Sequence, residues 1–369
     1  MDVRQRVLEA LQRLPEPGGT RPLGTLGLVA SVESDANGIV DVVLRLPSPA
    51  YAGRDELSRS VEALARSIDG VKSARVHLEA MTSGRSVAED DPVPDVKNIV
   101  LVMSGKGGVG KSSVAANLAL ALARMGTRVG LLDADIYGPS IPTMLGITGQ
   151  PMSDGKKIVP LQRFGIKLMS IGFLLEDARS AVVWRGPMLH GALVQFLKDV
   201  DWGKLDYLLL DLPPGTGDVA LTLSQRVRSN GAVIVTTPQE VALQDVYKSV
   251  SMCQKVGIPV LGIVENQSYF VCDGCAKRHE IFGTGGGQKV AEFAGAPLLG
   301  QVPLDPSVRQ WGDAGTPVVQ AAPGSAIAQA FVHLAERLVA EVELSNAEQG
   351  GDLTIDRSGG KNRHLPIAR

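Results

Sequence analysis

One decapeptide, Ser104-Gly105-Lys106-Gly107-Gly108-Val109-Gly110-Lys111-Ser112-Ser113, constrains the fold more tightly than any other stretch of the chain. Ahead of it, Ile99 to Met103 is a continuous apolar run of the kind found in strands covered on both faces. Behind it, Val114 to Ala123 is a run of small and apolar residues that predicts a helix. Gly105, Gly110, Lys111 and Ser112 satisfy the pattern G-x-x-x-x-G-K-[ST], and strand, loop and helix follow in the order that pattern requires. The glycines, Gly107 and Gly108 included, let successive backbone N–H groups along the loop from Gly105 to Ser113 turn toward one anion. The helix that follows presents its positive dipole end to the same place. Lys111 is expected to reach the β and γ phosphates of a nucleoside triphosphate, and the Ser112 hydroxyl to ligate Mg²⁺. Lys106, directly after the first glycine, departs from a plain phosphate loop.

The remainder of the chain reads as two folded units. Residues 1–80 give the order α-β-β-α-β. Val3 to Leu14 is a helix, Leu26 to Ser34 and Ile39 to Leu46 flank the turn Asp35-Ala36-Asn37-Gly38, Asp55 to Ile68 is an amphipathic helix, and Val71 to Leu78 is a closing strand. Residues 81–95 are polar, acidic and proline-bearing, which predicts a linker. In residues 96–345 apolar, β-branched strands alternate with helices, at Asn98–Met103, Arg128–Asp133, Ile166–Ile171, Tyr207–Asp211, Ala232–Thr236, Val260–Val264 and Pro297–Gln301. The expected fold class is α/β, a doubly wound and mostly parallel sheet preceded by a small α+β domain. A closing helix covers 324–344, and the glycine-rich, polar stretch 346–369 is expected to be a disordered tail.

Composition narrows the setting. Across 369 residues the formal net charge is −2, with 44% hydrophobic and 21% charged residues, so no basic excess points to nucleic acid or an anionic membrane. The first helix is studded with charge at Arg4, Arg6, Glu9 and Arg13, unlike a signal peptide. No run of about 18 apolar residues predicts a membrane span. A cytoplasmic location is expected. There a close pair of cysteines is more suited to metal binding or redox chemistry than to a structural disulfide. Cys272 and Cys275 form such a pair, and Cys253 stands apart on a helix as a small core residue.

Further strands end in carboxylates, where ligands bind in open α/β sheets. Asp133 and Asp135 follow Leu131-Leu132. Asp211 follows Tyr207 to Leu210 and leads into Leu212-Pro213-Pro214-Gly215-Thr216-Gly217-Asp218. The chemistry implied is phosphoryl transfer to water.

SGKGGVGKSS, LLDADIYGPSIP, LLLDLPPGTGD, VEN and IFGTGGG, in this order, resemble the deviant-Walker ATPases and specifically the Mrp/ApbC-type iron-sulfur cluster carriers. The likeness spans about residues 96–343, and the N-terminal unit is similar to the MIP18-like domain that precedes many such ATPases. The resemblance implies a homodimer in which Lys106 reaches the partner's nucleotide, Asp135 positions the attacking water and Asp211 holds Mg²⁺. It also implies that Asp218 lies in a second switch, that Asn266 reads the adenine edge and that Pro303 packs near the base. Asn266 can equally be a turn residue at a strand end.

Within one chain, Cys272-Asp273-Gly274-Cys275 offers two thiolates, fewer than tetrahedral zinc or an iron-sulfur cluster takes. A two-fold dimer supplies four. The resemblance implies a bridging cluster, of the 4Fe–4S type, passed between scaffold proteins and apo iron-sulfur proteins; zinc shared across the dimer and a redox dithiol remain alternatives. The competing reading of the whole is a partitioning or positioning ATPase acting on DNA or a membrane surface, which needs a basic patch or an amphipathic anchor. Two positions depart from the family pattern. Tyr51 stands where the N-terminal domain often has cysteine, and Gln267-Ser268 replaces Met-Ser after the VEN triplet.

Overall fold

The computed structural model describes residues 2–17, 21–35, 38–46, 53–80, 82–135, 138–174, 186–215 and 218–349. The chain divides into two compact units.

The N-terminal unit contains α1 (Val3–Arg13), β1 (Val29–Ser34), β2 (Ile39–Leu46), α2 (Arg54–Arg66) and β3 (Ser73–Ala80), in the order α-β-β-α-β. Its sheet runs β1-β2-β3, with β1 antiparallel and β3 parallel to β2. Two periodicities meet in its core. Val7 and Leu11 of α1, and Leu57, Val61 and Ala65 of α2, recur at helical spacing, while Val40, Val42, Leu44 and Leu46 alternate along β2. Each such valine or leucine, fully buried, contributes about 1.5–3 kcal/mol of transfer free energy. Asp35 helps close the β1–β2 connection by accepting the Ile39 N–H at 2.8 Å. Tyr51 lies outside the described residues.

The second unit is built on an eight-stranded sheet. Its elements are β4 (Val96–Ser104), α3 (Lys111–Arg124), β5 (Val129–Asp133), α4 (Ile141–Met144), β6 (Leu161–Arg163), β7 (Ile166–Ser170), α5 (Gly186–Asp199), β8 (Leu205–Asp211), α6 (Asp218–Arg226), β9 (Gly231–Thr236), α7 (Glu240–Lys255) and β10 (Val260–Glu265). They continue with β11 (Phe270–Val271), β12 (Arg278–His279), α8 (Gly286–Ala294), β13 (Leu298–Gln301), α9 (Pro306–Asp313), α10 (Val318–Ala321) and α11 (Ala326–Gln349). The strand order is β13-β10-β9-β4-β8-β5-β7-β6, parallel throughout except for the edge strand β6. The strands β4, β5, β8 and β9 are buried almost without interruption, which is why they read as unbroken apolar runs rather than alternating ones. From β4 the chain passes over β8 to β5, and from β8 it passes over β4 to β9, so the connections leave these two neighbours in opposite directions. The switch point therefore falls at the carboxyl ends of β4 and β8, where a crevice opens for a ligand.

Two segments differ from the sequence-based expectation. Residues 82–95, expected to be a linker, are packed within the second unit. The Arg85 N–H donates to the Lys97 carbonyl at 2.9 Å, and its guanidinium pairs with Asp91 and donates to the Val93 carbonyl, both charged side chains being almost fully buried. Acidic composition suggested a solvated strap, but one arginine inside it neutralises and closes the loop. The final helix runs to Gln349, past the expected start of the tail at 346; residues 350–369 lie outside those described. The short strands β6, β11 and β12 were not anticipated, being too brief to show a period.

Candidate functional site

The central strand delivers the glycine loop under constraint. At its end, the Ser104 hydroxyl donates to the Lys106 carbonyl at 3.0 Å, while the Ser104 carbonyl accepts the Gly215 N–H at 2.8 Å. The loop and the proline-glycine segment after β8 are thereby tied together. A Cβ at Gly105 would stand 2.4 Å from the backbone of Asp245 and Val246, so only glycine fits against α7. Gly108 and Gly110 take φ of +82° and +79°, the left-handed region. Gly107 and Gly108 are exposed, Val109 is buried beneath them, and Ser112 and Ser113 lie half-buried in the first turn of α3.

Under the loop the predicted groups converge. Lys111 Nζ lies 2.7 Å from Asp211 Oδ1 and 3.6 Å from Asp135 Oδ2, and the Ser112 hydroxyl donates to Asp211 Oδ2 at 2.6 Å. Lys111, Asp135 and Asp211 are all buried. Ser112 and Asp211 form an all-oxygen pair of the hard-donor type that Mg²⁺ takes, so these residues fit such an ion. Burial pushes the Asp211 carboxyl up, against the pull of the Lys111 charge. Lys106 is half-buried and makes no ion pair among the described residues. Asp218 opens α6, with its side chain outside the described residues.

Asp133 and Ser170 form a support that the sequence did not assign a role. Asp133 faces Asp211 across the β5–β8 register and is buried. Its Oδ2 accepts the Ser170 hydroxyl at 3.0 Å and the Ile141 N–H at 3.3 Å, and its Oδ1 accepts the Asp135 N–H at 3.3 Å. Burial first, and then the charge of Asp211, push the Asp133 carboxyl up to about 8. That push favours the neutral form of a carboxyl packed beside the buried Asp135 and Asp211. The signal available was Asp133 beside Asp135; Ser170 is close only once β7 pairs with β5.

Asn266 closes the other side. Its Nδ2 donates to the Val109 carbonyl at 2.9 Å, and its backbone N–H donates to the Thr236 carbonyl. Pro303 is half-buried in the strip that runs alongside this turn, where the Ser268 N–H donates to the Val302 carbonyl and the Leu304 N–H to the Tyr269 carbonyl. A Cβ on Gly110 would come 2.2 Å from Asn266 Nδ2 at a φ of +79°. Gly110→Ala is therefore expected to cost about 1–3 kcal/mol in backbone strain and displaced contacts. Titration with a fluorescent ATP analogue should show affinity weakened about tenfold. Wild-type affinity would mean that Asn266 does not clamp the loop.

The cysteine pair sits on a hairpin. β11 and β12 pair antiparallel, the Cys272 N–H donates to the Lys277 carbonyl, and Ala276, at φ +55°, turns the chain back. Arg278 stacks on the Tyr269 ring at 3.8 Å and braces the base of the hairpin. Cys272 is half-exposed and Cys275 exposed, two thiols presented outward. The Cys275 and Gly274 backbone N–H groups draw the Cys272 thiol below its usual range. His279 is exposed in β12. Among the described residues no group of three or more His, Cys, Asp or Glu side chains is placed to hold a metal. Cys253 is buried 3.7 Å from the Met103 sulfur, and burial pushes its thiol up to about 11.

A glycine loop at the carboxyl end of the central strand, with lysine, hydroxyl and strand-end carboxylate gathered beneath it, defines a P-loop NTPase. The family of NUBPL iron-transfer P-loop NTPases matches residues 95–339, and the family of iron-sulfur cluster assembly proteins matches residues 4–78. An iron-sulfur cluster carrier protein of Synechocystis sp. is 44% identical over 346 residues, covering 92% of this chain and 98% of the relative. Its counterpart in Escherichia coli K12 is 48% identical over 304 residues, 82% of each chain. A solved nucleotide-binding protein from Archaeoglobus fulgidus, in complex with ADP, is 42% identical with a TM-score of 0.55, covering 62% of this chain and 92% of its own. The chain belongs to the iron-sulfur cluster carrier family of P-loop NTPases.

Proposed function

We propose that this chain is a homodimeric ATPase that holds an iron-sulfur cluster on the paired Cys272 and Cys275 hairpins and delivers it to apoproteins. The observation that carries this reading is the descent of the thiol hairpin from the turn whose Asn266 grips the glycine loop. ATP binding and cluster exposure are thus set by neighbouring parts of one segment. The names of its relatives, and the ADP in the Archaeoglobus fulgidus structure, support the two ligands.

Lys111 exchanges the Asp211 carboxylate for β- and γ-phosphate oxygens when nucleotide enters, and Asn266 and Pro303 flank the base. Ser112 and Asp211 would hold Mg²⁺, which would supply neutralisation of the phosphate charge. Asp135 orients the attacking water. Water adds to the γ-phosphorus, the bond to the β-phosphate oxygen breaks, and ADP, phosphate and a proton leave. Lys106 projects from the half-buried loop toward the partner's nucleotide, where its charge stabilises the transferring group. Among the described residues no helix is long and apolar enough to cross a membrane.

The test is transfer under anaerobic conditions. Protein reconstituted with iron and sulfide is expected to convert an apo-ferredoxin to its cluster-bound form, read by circular dichroism. Lys106→Ala is expected to keep the cluster while hydrolysing ATP about a hundredfold more slowly. No acceptor loading by cluster-bearing protein would refute delivery.

A further inference from the structure

Glu265 ends β10 fully buried, and its carboxylate gathers three segments. Oε1 accepts the Ser268 hydroxyl at 2.5 Å and the Gln301 Nε2 at 2.7 Å, and Oε2 accepts the Gly287 N–H at the start of α8. Among the described residues it has no ion-pair partner. Burying such a carboxylate costs more than burying an apolar side chain of its size, so stability alone does not account for it.

Its partners give it a place. The cysteine hairpin is an excursion that leaves the body of the unit at Ser268 and returns to it at Gly287, and one carboxylate holds both feet. Gln267, at φ +53°, makes the turn that brings Ser268 back to its neighbour. At the return foot a Cβ on Gly287 would lie 2.8 Å from Glu265 Cβ, and one on Gly286 would lie 2.6 Å from the Pro238 carbonyl. The glycines of the IFGTGGG stretch are thus what lets the helix start dock on this group. The next residue after Glu265 is Asn266, fixed to the Val109 carbonyl of the glycine loop at 2.9 Å.

We infer that Glu265 is a positioning residue that couples the nucleotide loop to the thiol hairpin. A displacement of Val109 on nucleotide binding pulls on Asn266 and moves both feet of the hairpin as one body, because both are bonded to the adjoining side chain. The inference rests on the carrier reading for its purpose, though not for its measurement.

The experiment follows alkylation of Cys272 and Cys275 by iodoacetamide, resolved by peptide mass, in metal-free protein with and without saturating ATPγS. In wild type the nucleotide is expected to change both rates together by about fivefold, the lower end of ordinary couplings between sites. Glu265→Gln keeps the shape but turns one acceptor into a donor that faces donors. It is expected to bring the ratio below about twofold, at saturating nucleotide, and Ser268→Ala to lower it part of the way. A side chain that only stabilised the fold would shift the melting temperature and leave the ratio intact. If Glu265→Gln does not fold, Ser268→Ala decides the matter. Wild-type rates indifferent to ATPγS, or folded variants with an undiminished ratio, would overturn the coupling. Iron loading is read separately by reconstitution, so failure of the carrier reading and failure of this one are distinguishable.

Discussion

Lys111→Ala is expected to lower ATP hydrolysis by at least about 10²–10³-fold and to destabilise the ATPase unit as well. Its ammonium is buried 2.7 Å from Asp211 Oδ1, and the Asp211 carboxylate has no exposure at all. Removing one member of a buried pair leaves the other uncompensated, at a cost of about 3–5 kcal/mol. The pH dependence gives the cause away. Burial already raises the Asp211 carboxyl above its unfolded value, with Lys111 holding it down. Without the lysine its folded-state pKa climbs further, so the folded protein binds a proton over a wider range than the unfolded chain. Stability of the variant should therefore fall more steeply than that of wild type as pH rises through that range. Urea midpoints at pH 6 and pH 9 should show the larger deficit at pH 9, and adding Asp211→Asn should recover most of the stability and none of the hydrolysis. A variant as stable as wild type at both pH values would show that the pair is not held as described.

These residues illustrate what a sequence discloses and what it conceals. The phosphate loop was legible because all its parts are local: apolar strand, glycines, lysine, hydroxyl and helix within one continuous stretch from Ile99 to Ala123. Asp211 was legible because strand ends and ligand crevices coincide in parallel sheets. The α-β-β-α-β order of the N-terminal unit followed from period changes that a single pass can follow. Glu265 was not legible. Its partners Ser268, Gln301 and Gly287 are brought together by β13 pairing with β10 and by α8 docking on the strand end, and no local pattern encodes that meeting. The same holds for Ser170 beneath Asp133. The segment 81–95 misled for the opposite reason. Its composition is that of a solvated linker, and the single internal arginine that lets it pack carries no periodicity.

Cys272→Ala and Cys275→Ala are each expected to abolish cluster binding outright rather than halve it. Each hairpin offers two outward thiols and, among the described residues, no third ligand stands nearby. A cluster bound by four thiolates must then draw on two hairpins, and in a two-fold dimer one substitution in the gene removes two ligands of the four. For a dimer sharing one 4Fe–4S cluster, as proposed, anaerobic reconstitution should give about four iron atoms per wild-type dimer and almost none in either variant, with the visible absorption band lost in parallel. Cys253→Ala, altering a core thiol pushed up by burial, should retain wild-type iron. Half-occupancy in the single variants would mean that each protomer holds metal by itself, and the shared cluster would fall with it.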